Sequence, residues 1–374
     1  MKILLTCSWE NENNFIFNNI QQNYEKFQSS LNVFNPTKEF FWWKAFAELG
    51  YEIQPYIYHN STKFSSIDKL IGWLENRKFR GATITRQYIQ RERRKLSGEQ
   101  LINIIEINEP DILMLFQPDR IITPSLIRKI KQNFPITIIL MIGTSPVALG
   151  RKNVRESSVY FDYVFCNDHY HAIQWRELGA KKVIPLPISA CDPDFHFHIP
   201  ALRHQKTTQH MTDISFIGRL LPLRIYRERI DFLDAIKDTN TGIWTDDIQA
   251  FDMFPQLRPM YKGSARGKKA VEVMSSSKIS LNFHGHTMQS GGNMRTFEIP
   301  ASRSMQIVDR YYSDWFAEGE EIVSFTNIQD LKEKINYYLR NDNKRDEISL
   351  EGQNRAYSDH TYKNRVSEII KIIS

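Results

Sequence analysis

The chain has 374 residues, 41% of them apolar, and no apolar run approaches the ~20 residues that span a bilayer, so a globular protein of about two domains is expected. A formal net charge of +6 and a pI near 9.0 bias it toward anionic partners such as nucleotide-sugars, nucleic acid or acidic membrane. The N-terminus MKILLTCSWE turns polar too early for a signal-peptide core, which points to the cytoplasm, and Cys7, Cys166 and Cys191 lack the spacing of a disulfide framework or a zinc site.

Lys2 to Cys7 (KILLTC) reads as a first strand, Trp42 to Leu49 as an apolar helix stopped by Gly50, and Tyr51 to Tyr58 as a second strand, a βαβ opening. Between them, Glu10 to Pro36 is rich in Asn and Gln, which suits a long loop, and no G-x-G-x-x-G marks a dinucleotide site. Basic residues concentrate in Arg77-Lys78-Phe79-Arg80 and in Arg86 to Lys95 (RQYIQRERRK). That stretch is either a solvated helix face or a cradle for an anionic acceptor, with Arg91, Arg93 and Arg94 on the phosphates and Tyr88 stacked on a base.

Glu99 to Asn108 is helical, and Asp111 to Phe116 (DILMLF) is apolar throughout, as in a strand buried on both faces of a parallel sheet. The alternation continues with a helix at Thr123 to Phe134, strands at Ile136 to Ile142 and Tyr163 to Cys166, a helix at His171 to Leu178, and Lys182 to Pro187. Repeated units of this kind predict a doubly wound α/β sheet whose ligands gather at the strand carboxyl ends. Glu10, Asp119, Ser145, Asp168 and His169 fall at such ends, where each could orient a ligand or serve as a base.

Ser189 to Met211 breaks the pattern and reads as a boundary between domains. Asp192, Asp194, His196 and His198 alternate within it, as metal ligands or as polar linker residues. A second run then begins with Ile214 to Ile217, Gly218-Arg219 and a helix from Pro222 to Ile236 that carries Arg224, Arg227 and Arg229. Gly242 to Thr245 is a strand, a loop leads to Tyr261-Lys262-Gly263, and Lys268 to Ser276 is a helix.

The densest signal lies in Ser275 to Asp309. An apolar strand ending in His284-Gly285-His286 leads through Ser290-Gly291-Gly292-Asn293 into a helix that opens Met294-Arg295-Thr296-Phe297-Glu298. Backbone N–H groups at a helix start attract anions, and Arg295 stands in that first turn, so phosphate is the expected ligand. Arg295 and Glu298, three apart, share a helix face, while Asn282 and His284 share one face of the strand. Beyond come Met305 to Val308, Glu321 to Phe325, helices at Ile328 to Leu339 and Lys344 to Tyr357, and an amphipathic end from Thr361 to Ile373.

These motifs, Phe216-Ile217-Gly218-Arg219, Ser277 to His284, Arg295-Thr296-Phe297-Glu298, Ile307-Val308-Asp309, Gly319 to Phe325 and His360-Thr361-Tyr362, resemble in order those of the CgeB-type (spore-maturation protein, glycosyltransferase group 1) family. The resemblance spans roughly residues 111 to 374 and is strongest after residue 212. It implies a GT-B fold: an acceptor-binding Rossmann-like domain (1–190), a nucleotide-sugar-binding one (212–357), and a terminal helix (358–374) that returns to the first. It implies a hexosyl- or pentosyltransferase acting on a nucleoside diphosphate sugar, most simply a UDP-sugar, with no metal or other cofactor required. The donor-binding set is then Gly218, Arg219, Arg224, Asn282, His284, Asn293, Arg295, Thr296 and Glu298, with Glu298 at the ribose, as the second glutamate of an E-x7-E motif. Ser290 stands where the first glutamate belongs.

The acceptor-side candidates remain Glu10, Asp168 and His169 for catalysis and Arg91, Arg93 and Arg94 for binding. The acceptor is a hydroxyl on a glycan, a protein or a hydroxymethylated DNA base. From another class, a GT-B scaffold that binds nucleotide for sensing or assembly without turnover fits the same residues. Retaining or inverting stereochemistry and oligomeric state stay open.

Overall fold

The computed structural model describes residues 1–7, 38–57, 95–116, 122–148, 152–199 and 212–374. The first half runs β1 (Lys2–Cys7), α1 (Lys38–Glu48), β2 (Glu52–Ile57), α2 (95–108), β3 (Ile112–Phe116), α3 (Pro124–Asn133), β4 (Thr137–Ile142), α4 (Lys152–Glu156), β5 (Tyr163–Cys166), α5 (His169–Glu177) and β6 (Val183–Pro185). The strands form a six-stranded sheet in the order β2-β1-β3-β4-β5-β6, paired in parallel. Every residue of β3 is buried, as a strand covered on both faces requires. Helix α3 starts where Thr123 accepts from the Leu126 N–H at 3.2 Å and Pro124 fills the first helical position.

The second half runs β7 (Ile214–Ile217), α6 (Leu223–Ala235), β8 (Thr241–Trp244), α7 (Ala250–Met253), β9 (Tyr261–Gly263), α8 (Gly267–Ser276), β10 (Ile279–Asn282), α9 (Arg295–Ala301), β11 (Met305–Val308), β12 (Val323–Ser324), α10 (Ile328–Arg340), α11 (Asp342–Asp359) and α12 (Tyr362–Ile373). Its six-stranded sheet has the order β12-β11-β10-β7-β8-β9, again parallel. From β7 the chain winds outward one way and from β10 the other, so the direction of winding reverses between them. A doubly wound sheet opens its ligand crevice at that point.

Two details depart from the sequence reading. Tyr261–Gly263, expected to end a loop, is an edge strand held by the β8 ladder rather than by its own propensity. Helix α1 begins at Lys38, four residues earlier than expected, because Phe40 and Phe41 are needed in the core.

Helix α12 returns to the first domain. Tyr362 stacks on Phe41 at 5.3 Å and meets Trp42 edge-on at 5.7 Å, while Val366 and Ile369 enter the same apolar cluster. A capping box between Thr361 and Asn364 starts the helix. Before it, the Cys191 N–H donates to the His360 carbonyl at 2.9 Å and the Tyr362 N–H to the Cys191 carbonyl at 3.0 Å. Burial pushes the Cys166 thiol up to about 12 and that of Cys191 further in the same direction, which fits core residues rather than nucleophiles.

His360 makes this junction sensitive to acid. Its Nε2–H donates to the Trp315 carbonyl at 2.6 Å, and its Nδ1 accepts from Arg365 Nη2 at 2.9 Å, so the network assigns the neutral ring. Burial, and then the Arg365 charge, push His360 down to about 4. The unfolded chain binds this proton more readily, so stability is complete above about 6.5 and falls as pH drops toward about 4, by roughly 3 kcal/mol. Urea midpoints measured from pH 7 to 4 should show that loss, and His360→Gln should flatten it.

Candidate functional site

The crevice lies at the carboxyl ends of β7, β10 and β11. Strand β7 runs into Gly218-Arg219, where a Cβ on Gly218 would meet the Phe216 ring at 2.9 Å and Arg229 Nη1 at 3.2 Å. Arg219 Nε donates to Asp247 Oδ2 at 2.8 Å, and the same oxygen accepts the Leu220 and Leu221 N–H groups at 2.7 and 3.0 Å. Burial would raise the Asp247 pKa, but Arg219 and the two amides hold it below the usual carboxylate range. The turn is thus fixed by a carboxylate, with the Arg219 side chain 60% exposed. Arg224 is exposed on the first turn of α6.

Arg229, five residues further along α6, is buried. Its Nη1 donates to the Arg219 carbonyl at 2.7 Å, and its guanidinium lies 4.2 Å from the Tyr226 ring centroid and 5.7 Å from that of Phe216. Burial pushes its pKa down to about 10, which leaves it cationic at neutral pH. The turn of Gly218-Arg219 therefore rests on a fixed positive charge.

At the end of β10, Asn282 is buried and donates to Gln306 Oε1 at 2.9 Å and Thr296 Oγ1 at 3.2 Å, while its own oxygen accepts from Asn293 Nδ2 at 2.8 Å. Asn293 Oδ1 accepts the Arg295 N–H at 2.8 Å, so a single carboxamide chain runs from β11 through β10 to the start of α9. His284 turns toward β11: both its N–H and its Nδ1 meet Asp309 Oδ1, at 2.9 and 2.7 Å. Burial opposes ionisation of Asp309, but His284 and then Arg310 outweigh it and lower its pKa. His284 Nε2 is buried with no hydrogen-bond partner among the described residues, the kind of atom that a ligand or an ordered water satisfies.

Arg295 and Glu298 are paired, as their spacing predicts, yet Glu298 is buried and Arg295 half-buried rather than displayed. Arg295 Nη1 bonds Glu298 Oε2, and its Nε donates to the Ile217 carbonyl at 3.3 Å, which ties α9 to β7. From the stretch between the domains, His196 brings Nε2 to 3.7 Å from Glu298 Oε1. Burial raises the Glu298 pKa, and Arg295 and His196 override that to bring it down to about 2. Glu298 is therefore a constitutive anion locked between Arg295 and His196.

The first domain meets this site through the β5–α5 junction. Asp168 is 0% exposed. Its Oδ1 accepts the Tyr170 N–H at 2.7 Å, capping α5, and its Oδ2 accepts the Gln289 and Ser290 N–H groups at 2.7 and 2.9 Å. Those donors occupy the lone pairs that a catalytic base would need. The ring of His169 lies 4.6 Å from that of Tyr312, across the domain boundary. Ser145 Oγ is engaged locally, with Gln174 at 2.9 Å and the Ala148 N–H at 3.0 Å.

Glu10, Asp119, Tyr88, Arg91, Arg93, Arg94 and the basic run at 77–80 lie outside the described residues. The alternating linker residues divide among three partners: Asp192 and Asp194 both pair with Lys44 Nζ, at 2.8 and 2.7 Å, His196 faces Glu298, and His198 bonds Ser275 Oγ at 3.1 Å. That dispersal argues against a shared metal. Sequence reasoning gave no role to Arg229 or Asp247, weighed His196 only as a metal ligand or linker residue, and named Asp309 only as part of a motif. Arg229 carried no signal that set it apart from its neighbours, whereas Asp309 ends an apolar strand, a position that marks a site.

Comparison with known proteins accords with this geometry. Residues 227–371, from α6 into α12, match the family model described as glycosyl transferase-like. No curated protein matches the sequence. Among solved structures, sucrose-phosphate synthase from Thermosynechococcus elongatus aligns with a TM-score of 0.62 at 9% identity over 100% of this chain and 99% of its own. The HepE protein of Anabaena, in complex with UDP, aligns with a TM-score of 0.59 at 12% identity over 99% of this chain and 100% of its own. The fold is GT-B. A glycosyltransferase from Rickettsia africae shares it, with a TM-score of 0.59 at 10% identity over 99% and 97% of the two chains. In GT-B terms, the residues of this crevice line the C-terminal domain where it faces the N-terminal one.

Proposed function

We propose that the protein is a glycosyltransferase, of the CgeB type in its finer kinship, that moves a sugar from a nucleoside diphosphate donor to a hydroxyl acceptor. One observation carries the reading: Gly218-Arg219, Arg229 and the His284–Asp309 and Arg295–Glu298 pairs converge where the winding of the second sheet reverses. HepE, whose fold this chain shares, has been solved with UDP and with UDP-glucose, which supports a UDP-sugar as donor here. In the reaction the acceptor oxygen bonds to the anomeric carbon and the bond from that carbon to the diphosphate breaks. The electron pair leaves on the phosphate, and the acceptor proton ends on the diphosphate or solvent.

Arg219, Arg224 and Arg295 would neutralise the departing charge, the ground for a metal-independent reaction, and Glu298 would meet the ribose. His284 Nε2 would reach the sugar or phosphate. Catalysis then comes from positioning and electrostatic stabilisation. An anionic acceptor, DNA included, rests on the charge of 77–95 alone; its test is salt, since phosphate contacts make binding fall steeply between about 50 and 200 mM.

The rival, nucleotide binding without turnover, draws on Ser290, whose N–H and hydroxyl both face Asp168. Turnover separates them. Incubated with a panel of UDP-hexoses and UDP-pentoses, the wild type should slowly release UDP from one of them, and Arg219→Ala with Arg224→Ala should abolish that release. Tight nucleotide binding with no turnover across donors and acceptors would assign the rival.

A further inference from the structure

We infer that Asp168 is a positioning residue: acting from the N-terminal domain, it shapes the loop 287–292 of the C-terminal domain, so that the ligand loop is complete only when the two domains meet. The ligand invoked rests on the proposed glycosyl transfer; the geometry does not. The Asp168 carboxylate divides its work, one oxygen to the start of α5 and the other to the Gln289 and Ser290 amides, with the Ser290 hydroxyl 3.4 Å from the first oxygen. The loop partners are neutral N–H and O–H donors from residues more than a hundred positions away.

The neighbouring contacts repeat the pattern. His171 Nε2 lies 2.9 Å from the Thr287 carbonyl, the His169 N–H donates to the Ser290 carbonyl at 3.4 Å, and the Gly292 N–H donates to the Asn167 carbonyl at 3.4 Å. A Cβ on Gly291 would come within 2.1 Å of the Asn167 oxygen, so only glycine lets the two backbones run side by side. From its own domain the loop is held where Arg310 Nη1 donates to the Met288 carbonyl at 2.8 Å and where it enters Asn293, which bonds Asn282. Shaping the loop and closing the cleft are therefore one event, the structural requirement for induced fit.

Asp168→Asn and Asp168→Ser separate the two jobs. Both residues cap helices well, so α5 keeps its start, but one carboxamide oxygen or a short hydroxyl cannot also hold the loop amides. Hydrogen exchange without ligand should show the Gln289 and Ser290 amides exchanging faster in both variants while circular dichroism stays unchanged. UDP affinity measured by calorimetry should fall about tenfold or more. Unchanged protection at 289–290 would overturn the inference, and so would UDP affinity that is unchanged or tighter, the latter because Asp168 would then be standing in the ligand's place. Should the wild type bind no nucleotide, the proposed function fails, and the exchange measurement still decides the role of Asp168.

Discussion

Arg295→Ala should destabilise the protein by about 3–5 kcal/mol, the cost of leaving a buried charge without its partner. The Glu298 side chain is 8% exposed, and the Arg295 guanidinium is the chief group that offsets its burial. Without it, His196 at 3.7 Å is left to face the carboxylate, and Nε of Arg295 no longer ties α9 to the end of β7. Replacing both members of the pair, Arg295→Met with Glu298→Leu, should recover most of the loss, because a matched apolar pair strands no charge. Acid provides a second reading. Glu298 has a pKa depressed from 4.5 to about 2, so its contribution is present above about 4.5 and is lost as pH falls through about 2. Chemical denaturation of the two single variants and the double variant checks the cycle; a loss under about 1 kcal/mol in Arg295→Ala would mean that Glu298 is solvated or protonated instead.

Tyr362→Ala should cost about 3–5 kcal/mol as well, by opening a cavity where the terminal helix docks. Its ring is buried between Phe41 and Trp42, with a near-parallel stack of 19° on the first and an edge contact of 79° on the second. The damage should be regional. Val366 and Ile369 follow Tyr362 into the same cluster, so α12 should leave α1 and become open to limited proteolysis before the second domain unfolds. Tyr362→Phe keeps the ring and loses only the hydroxyl, whose hydrogen bond to the Ala190 backbone is worth about 1 kcal/mol. Equal proteolytic resistance of α12 in Tyr362→Ala and wild type would show that the brace depends on other contacts.

How far the sequence could be read depends on how local each feature is. DILMLF and Thr137–Ile142 announce buried parallel strands because an unbroken apolar run of that length has few other uses. The Arg295–Glu298 pair follows from helical spacing alone. Asp168 shows the limit. Its place at a strand end marked it as a base, while its partners Gln289 and Ser290 lie 121 and 122 residues away and become visible only when two sheets face each other. His196 hid for a similar reason: it lies in an aperiodic linker, and its meaning comes from Glu298 in another element. Asp247 fixes the Gly218-Arg219 turn across the ends of neighbouring strands, a relation that strand order supplies and residue spacing does not.

The central claim is that a nucleoside diphosphate binds at the carboxyl ends of β7 and β10. Calorimetric titration of the wild type with UDP, GDP, dTDP and CMP, repeated for Arg219→Ala, tests it most directly. Arg219 is largely exposed and Asp247 keeps the Leu220 and Leu221 amides without it, so that variant should fold as the wild type does. The expected result is saturable binding of one nucleoside diphosphate, UDP foremost, weakened about tenfold by the substitution. Absence of binding by all four nucleotides, or a UDP affinity indifferent to Arg219, would contradict the account.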